Sequence, residues 1–227
     1  MANARAHVRH RGVVIREGDV HLPGDLVTPP FPIGGVIFAH GSGSSRRSPR
    51  NIHVAQALQE GGLATLLFDL LTDAEARDRR NVFDIALLAS RLGAATVWLA
   101  GQREAAGLRV GYFGASTGAA AALWAAAEPG ARVGAIVSRG GRPDLAGPRL
   151  GSVTAPTLLI VGGDDPLVLE LNQQAQQALS GTTELVIVPG ATHLFEEPGA
   201  LEQVAGLARA WFVRYLRGGA AGAAGAA

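Results

Sequence analysis

The order of apolar and polar runs along the chain predicts strands that alternate with helices. Short, almost wholly apolar runs lie at residues 35–39, 64–68, 108–113, 133–137, 157–161 and 184–188. Runs of this length between turn residues are typical of strands that are buried on both faces. Segments with apolar positions at helical spacing separate them, at residues 51–60, 82–102, 117–127, 168–179 and 201–216. This alternation predicts a doubly wound α/β fold, in which helices cover both faces of a mostly parallel sheet.

The two ends of the chain follow other patterns. Residues 12–16 and 20–26 read as two strands around the turn Glu17-Gly18-Asp19, which predicts an N-terminal antiparallel hairpin. Residues 218–227 are a low-complexity run of glycine and alanine, which predicts a flexible tail. We therefore expect a single domain over residues 1–217, followed by this tail.

The loops that follow the predicted strands are the places to look for chemistry. In a doubly wound sheet, ligands bind beyond the carboxyl ends of the parallel strands. This rule predicts that several loops converge on one edge of the sheet: 40–45, 114–118, 138–144, 162–168 and 189–195.

One of these loops, Gly114-Ala115-Ser116-Thr117-Gly118, has the pattern of a nucleophile elbow. A strand is predicted before it and a helix of small residues after it, which is the context that the motif requires. The sharp turn brings backbone segments close together, and the two glycines permit that approach. Ser116 is therefore the candidate nucleophile, with its hydroxyl at the N-terminus of a helix, where developing negative charge is favoured.

A serine nucleophile needs a base, and histidine is the usual one near neutral pH. His193 follows the last predicted strand at the expected edge and is the candidate base. His40 ends a strand at the same edge, and we expect it to brace the glycine-rich loop that follows. The other histidines fall in the N-terminal segment, the hairpin and a surface helix, where solvated or packed side chains are the simpler interpretation: His7, His10, His21 and His53.

The third group of such a site is a carboxylate that orients the imidazole. Asp165, in the loop after residues 157–161, is the candidate, and its neighbour Asp164 is the alternative. The chain order Ser116, Asp165, His193 is the order that α/β-hydrolases use.

The oxyanion of a tetrahedral intermediate needs N–H donors that are already in position. The amide of Thr117, directly after the candidate nucleophile, is one candidate. The other is the amide of Ser42, in the loop where Gly41 and Gly43 leave the backbone uncluttered and open to substrate. A glycine-rich loop before a helix could also bind a phosphate, but neither nucleotide-binding glycine motif is present there.

The connector over residues 138–155 is short and rich in glycine, proline and arginine. This predicts little or no cap domain and an open site. Arg139 and Arg142 lie on the connector and could bind a substrate carboxylate through two hydrogen bonds each. The alternative for both is a salt bridge to Asp144 or another nearby acid.

Composition narrows the range of functions. The 227 residues carry a net charge of +1, which favours neither nucleic acid nor an anionic membrane as a partner. The chain has no cysteine and no lysine, so thiol and Schiff-base chemistry are excluded, and we expect no cofactor and no metal. Neither a secretory signal nor a membrane-spanning stretch is recognisable. We therefore expect a cytoplasmic monomer or homodimer.

Residues 10–217 resemble an α/β-hydrolase, and the details are similar to the dienelactone-hydrolase-like branch. The resemblance rests on these segments: His40-Gly41-Ser42-Gly43-Ser44-Ser45, Phe68-Asp69-Leu70-Leu71-Thr72, Gly114-Ala115-Ser116-Thr117-Gly118, Ser138-Arg139-Gly140-Gly141-Arg142-Pro143-Asp144, Gly162-Gly163-Asp164-Asp165-Pro166 and Gly190-Ala191-Thr192-His193. It implies a triad of Ser116, Asp165 and His193. Dienelactone hydrolases proper use a cysteine nucleophile, so the serine here favours ordinary ester hydrolysis.

The sequence therefore predicts a serine hydrolase that cleaves carboxylic esters of small or exposed acyl groups through an acyl-enzyme. A small-molecule ester is the expected partner. Alternatives that keep the triad are a thioesterase, a lactonase and an acyltransferase. An alternative of another class is a non-catalytic binding module on the same scaffold.

Overall fold

The computed structural model describes residues 7–218. The strands are β1 (Arg9–Glu17), β2 (Val20–Thr28), β3 (Gly34–Ala39), β4 (Leu63–Phe68), β5 (Val110–Ala115), β6 (Val133–Arg139), β7 (Thr157–Gly162) and β8 (Thr183–Val188). The helices are α1 (Pro49–Glu60), α2 (Arg79–Val82), α3 (Ile85–Ala100), α4 (Thr117–Ala126), α5 (Pro166–Ala178) and α6 (Ala200–Leu216). Apart from its first residue, the predicted tail at 218–227 lies outside the described residues.

These strands form an eight-stranded sheet in the order β1-β2-β4-β3-β5-β6-β7-β8. Strand β2 pairs antiparallel with both β1 and β4, whereas the pairs from β4 through β8 are parallel. The predicted α/β fold, with a mostly parallel sheet and an N-terminal antiparallel hairpin, is confirmed.

The central strands are buried because helices cover both faces of the sheet. Every residue of β3, β4, β5 and β7 is buried, as the apolar runs predict. Helices α3, α4 and α5 contribute to the apolar core on one face, and α1 and α6 contribute to the core on the other. The two cores hold the parallel strands in register, so their carboxyl ends lie at a single edge.

Two elements differ from the sequence-based prediction. The hairpin strands extend beyond residues 12–16 and 20–26, because their backbones stay paired from Arg9↔Thr28 to Glu17↔Val20. The helix predicted over 82–102 is interrupted, and α3 begins at Ile85. The side chain of Asp84 accepts a hydrogen bond from the Leu87 N–H at 3.0 Å, which caps α3 and separates it from α2.

The connector between β6 and β7 contains a 3₁₀ stretch, Pro143–Ser152, and no longer helix. No cap domain is therefore inserted at this point of the sheet.

Candidate active site

The turn between β5 and α4 has the strained geometry of a nucleophile elbow. Ser116 adopts φ 52° and ψ −120°, a conformation that non-glycine residues rarely populate. A Cβ at Gly118 would lie 2.1 Å from the Ala39 carbonyl oxygen, and one at Gly114 would lie 2.4 Å from the Ala119 Cα. Both glycines are thus required by backbone contact. The turn presents Ser116 at the carboxyl edge of the sheet.

His193 and Asp165 meet at the same edge although they lie on different loops. His193 Nδ1 is 2.7 Å from Asp165 Oδ2, in a hydrogen bond between partly buried side chains. A carboxylate accepts only, so Nδ1 carries the proton, and Nε2 of the neutral ring is left with a lone pair. This is the tautomer that a general base requires.

The two candidate aspartates have different environments. Asp165 is partly buried and contacts His193, whereas Asp164 is exposed to solvent. The Asp164 backbone N–H donates to the Ala191 carbonyl at 3.0 Å, which ties the β7 loop to the β8 loop. Asp165 therefore orients the imidazole, and Asp164 shapes the turn.

Ser116 and His193 line a cavity of about 190 Å³ at the carboxyl edge of the sheet. Its remaining walls come from the β3 loop, the start of α1, the ends of β5 and β6 and the β8 loop: Gly41, Ser42, Ser44, Ser48, Arg50, Ala115, Arg139 and Leu194. The cavity thus brings the candidate nucleophile and the candidate base into one space that a small substrate can enter.

The two backbone amides expected to bind an oxyanion differ in their hydrogen bonding. Thr117 is the first residue of α4, so its N–H has no acceptor within the helix. The Ser42 N–H instead donates to Thr117 Oγ1 at 2.9 Å. Sequence reasoning considered only the amide of Thr117, and it missed that the hydroxyl of the same residue holds the β3 loop.

The two glycines of the β3 loop, Gly41 and Gly43, differ in whether they line the cavity at Ser116. A Cβ at Gly41 would lie 3.1 Å from the Cβ of Ser116, so Gly41 forms a wall of the site. Gly43 lines a second cavity of about 160 Å³, which Gly41 also lines, and does not line the cavity at Ser116. Of the two glycines, Gly41 alone lines the cavity at Ser116, and the contact of either with substrate stays a prediction.

His40 braces the β3 loop. Its Nδ1 lies 3.0 Å from the Gly41 carbonyl oxygen, and its Nε2 accepts a hydrogen bond from the Leu70 N–H at 3.1 Å. These partners fix the neutral tautomer with the proton on Nδ1. Burial lowers the pKa of the His40 imidazole, although the Gly41 carbonyl and the Asp69 carboxylate oppose that shift.

The two arginines expected to bind substrate separate in the structure. Arg142 donates to Asp144 at 2.8 and 2.7 Å, and it does not line the cavity at Ser116. The salt-bridge alternative describes its placement. Arg139 does line that cavity and is 7% exposed. Burial, and then the positive charge of Arg50, lower the pKa of the Arg139 guanidinium to about 10, so it stays protonated at neutral pH.

Arg50 was missed by sequence analysis. It lies in the first turn of α1 and lines the cavity at Ser116. The signal in the sequence was the start of a helix directly after a loop of the active edge. Nothing in that pattern distinguishes Arg50 from the neighbouring Arg46 and Arg47.

Two kinds of feature are absent from residues 7–218. No group of three or more histidine, aspartate or glutamate side chains is placed to hold a metal ion. No helix in this part of the chain combines the length and the apolar character needed to cross a membrane.

Comparison with known proteins shows the family of this chain. Residues 33–213 match the Dienelactone hydrolase family. The chain belongs to this family. The crystal structure of a dienelactone hydrolase from Anabaena variabilis superposes with a TM-score of 0.90 at 56% identity, covering 92% of this chain and 99% of that one. Est1E from Butyrivibrio proteoclasticus has the same fold, with a TM-score of 0.76 at 17% identity over 90% of this chain and 98% of that one.

A curated relative from Mycobacterium tuberculosis is 62% identical over 217 residues and is named "Putative phosphoribosyl transferase". The match covers 96% of this chain but 49% of the relative. The chain thus spans about half the length of this curated relative. Within the dienelactone hydrolase family, this chain has serine at the elbow and contains no cysteine.

Proposed function

We propose that this member of the dienelactone hydrolase family hydrolyses carboxylic esters through an acyl-enzyme on Ser116. The proposal rests on one observation above all. The Asp165–His193 hydrogen bond of 2.7 Å fixes an imidazole with a free Nε2 at the rim of the cavity that Ser116 also lines. A hydroxyl, an imidazole and a carboxylate in this relation form the parts of a general nucleophilic mechanism.

In the proposed reaction, His193 Nε2 takes the proton of Ser116 as Oγ bonds to the carbonyl carbon of the ester. The bond from that carbon to the alkoxy oxygen then breaks, and the departing alcohol takes its proton from His193. Water repeats the sequence: His193 accepts a water proton while the hydroxide bonds to the acyl carbon. The bond from that carbon to Ser116 Oγ then breaks, Oγ takes the proton back from His193, and the carboxylic acid leaves. Asp165 stabilises the imidazolium in both halves.

The proposed oxyanion donors are the amides of Thr117 and Ser42. Thr117 supplies an N–H at the start of α4, where the helix dipole adds to the stabilisation. The Ser42 N–H contacts Thr117 Oγ1. It therefore has to share its proton with the oxyanion, or to release the hydroxyl as the negative charge develops.

The test is a Ser116→Ala variant assayed with 4-nitrophenyl acetate. We expect turnover to fall by about 10³-fold or more, with unchanged circular dichroism, since a triad nucleophile is removed without loss of core packing. A serine-directed fluorophosphonate should label the native chain at Ser116 and leave the variant unlabelled. Undiminished turnover by the folded variant would refute the proposal.

Thioester hydrolysis, lactone hydrolysis and acyl transfer use the same groups and remain alternatives. They differ in the leaving group and in the acceptor of the acyl group. Competition in one assay separates them: an acyl thioester, a lactone and an acyl ester are offered together, with and without an added alcohol. We expect the ester to be consumed first, with water as the acceptor.

We further propose that the transferase name of the mycobacterial relative refers to the part of it that this chain does not cover. The matched half has the sequence of a dienelactone hydrolase family member and, in this chain, a hydrolase-type elbow. Purified chain incubated with a phosphoribosyl pyrophosphate donor and a nucleobase is expected to release no pyrophosphate. Release above a protein-free background would assign transfer to this half.

A further inference from the structure

The cavity at Ser116 contains a cationic group that the proposed mechanism does not use. The Arg139 side chain is buried at the end of β6, with 7% of the residue exposed. Its Nε has no hydrogen-bond partner. Among the residues that the structure describes, no carboxylate lies within salt-bridge distance of this guanidinium. A buried charge without a counter-ion is costly, so its presence in a substrate cavity points to a ligand.

A second arginine lines the same cavity. Arg50 reaches the cavity from α1, and its buried Nε also lacks a hydrogen-bond partner. One Arg50 terminal nitrogen donates to Glu196 Oε1 at 2.8 Å, which leaves the rest of the guanidinium for another acceptor. The positive charge of Arg50 acts on Arg139 across this space. Two guanidinium groups held close together repel each other unless an anion lies between them.

The surroundings hold both cations in place. The Arg139 guanidinium carbon lies 5.9 Å from the centroid of the Phe195 ring, which gives the buried cation a polarisable wall. Ser48, at the cavity wall, caps α1 and places the positive end of that helix nearby. Three sources of positive potential thus converge on a space that adjoins Ser116.

We propose that Arg139 and Arg50 form a subsite for an anionic group of the substrate, either a carboxylate or a phosphate. The subsite depends on the proposed function in one respect: the anionic group is taken to lie a few bonds from the ester bond that is cleaved. The cavity volume of about 190 Å³ leaves room for a short chain and its charged end. The subsite therefore selects small anionic esters over neutral esters of the same length.

Binding is measured first, because it does not depend on turnover. Succinate and inorganic phosphate are titrated calorimetrically into full-length Ser116→Ala protein that also carries Arg139→Gln, Arg50→Gln or Arg47→Gln. Arg47 is the matched control, since it carries the same charge near the start of α1 but is exposed and does not line the cavity. We expect the Arg139 or Arg50 change to weaken the preferred anion by about 10- to 100-fold, as for lost hydrogen bonds to a charged group.

The comparison between the two anions identifies the group that the subsite takes, since the tighter ligand is the better mimic of the substrate. The proposal is overturned if neither anion binds the Ser116→Ala protein, or if Arg47→Gln weakens binding as much as the other two changes. If Arg139→Gln does not fold, Arg50→Gln decides the outcome, because that side chain is 31% exposed and tolerates replacement more easily.

Inhibition of the native enzyme provides the second measurement. The preferred anion is expected to compete with 4-nitrophenyl acetate, and its inhibition constant should rise by the same factor in the Arg50→Gln variant. Non-competitive inhibition, or an inhibition constant that the Arg50 change leaves unaltered, would contradict a subsite beside Ser116. If the native chain hydrolyses no ester while the calorimetric pattern is seen, the proposed function fails and the anion subsite stands.

Discussion

The Ser42 N–H donates to Thr117 Oγ1 at 2.9 Å, so the loop after β3 is tied directly to the residue that follows Ser116. This bond fixes the distance between the two amides that we propose as oxyanion donors. It also means that one of the two N–H groups already has an acceptor before substrate arrives. The side chain of Thr117 is therefore part of the site's geometry as well as its backbone.

Replacing Thr117 with valine tests that role. Valine keeps the shape of this buried side chain but removes the acceptor, so the Ser42 amide loses its anchor. We expect kcat for 4-nitrophenyl acetate to fall by about 3- to 10-fold with little change in KM, since one neutral hydrogen bond that positions a donor is lost. Thr117→Ser is the control and should retain activity. A higher kcat for Thr117→Val would mean that the hydroxyl competes with the oxyanion.

Asp165 and Asp164 form a matched pair for a second prediction. Asp165→Asn removes the carboxylate that holds the His193 tautomer, and we expect kcat to fall by about 10⁴-fold, as for other triads. Asp164→Asn changes an exposed neighbour and should alter kcat by less than about 3-fold. The measurement is steady-state hydrolysis at neutral pH. Equal losses in the two variants would contradict the assignment of Asp165.

The backbone strain at Ser116 predicts a conflict between stability and activity. A residue other than glycine at φ 52° and ψ −120° costs about 1–3 kcal/mol, most of which glycine avoids. Ser116→Gly should therefore raise the free energy of unfolding by about 1 kcal/mol. This figure is what remains of the relieved strain once the larger conformational entropy that glycine gives the unfolded chain is subtracted. Ser116→Ala keeps the strain and serves as the control in urea denaturation. A glycine variant no more stable than the alanine variant would argue against strain.

His40 predicts how stability depends on pH. Burial lowers its pKa in the folded chain below the ordinary value of 6.5, so the unfolded chain binds a proton that the folded chain does not. The free energy of unfolding should therefore fall as the pH drops below about 6.5, until the folded pKa is passed. Protonation of His40 at Nε2 would also break the hydrogen bond from the Leu70 N–H, because that bond uses the lone pair of Nε2.

A His40→Gln variant isolates that contribution, because glutamine can accept from Leu70 but does not titrate. Urea denaturation is carried out at about pH 7.5 and about pH 5 on both proteins. The variant is expected to lose less stability between the two pH values than the native chain, since the remaining histidines are common to both. Equal losses would show that His40 does not contribute.

Much of this architecture could be predicted from the sequence. Buried parallel strands appear as continuous apolar runs, and the topology places the loops after them at one edge, which is why Ser116 and His193 could be paired without coordinates. The start of α3 was also readable, since Asp84 is a good N-cap, but the continuous apolar periodicity obscured it.

Other features depend on packing that no local pattern specifies. Asp164 and Asp165 are adjacent in one turn, and only the path of the backbone decides which carboxylate faces the imidazole. Arg50 and Arg139 line the same cavity although α1 and β6 are distant in the chain, and α1 packs against α6 and β4. The hydrogen bond from the Ser42 N–H to the Thr117 hydroxyl joins residues that are far apart in the chain, so no local sequence pattern predicts it.

The helix that carries Ser116 has a run of four alanines, Ala119–Ala122, that is wholly inaccessible, and Gly118 lies against the Ala39 carbonyl. A side chain at Gly118 would displace the Ala39 backbone, and the four alanines have no exposed surface into which a larger side chain could extend. Laboratory evolution toward new substrates should therefore find few tolerated changes in this helix. Libraries will be most productive when they diversify the start of α1 and the connector after β6 instead.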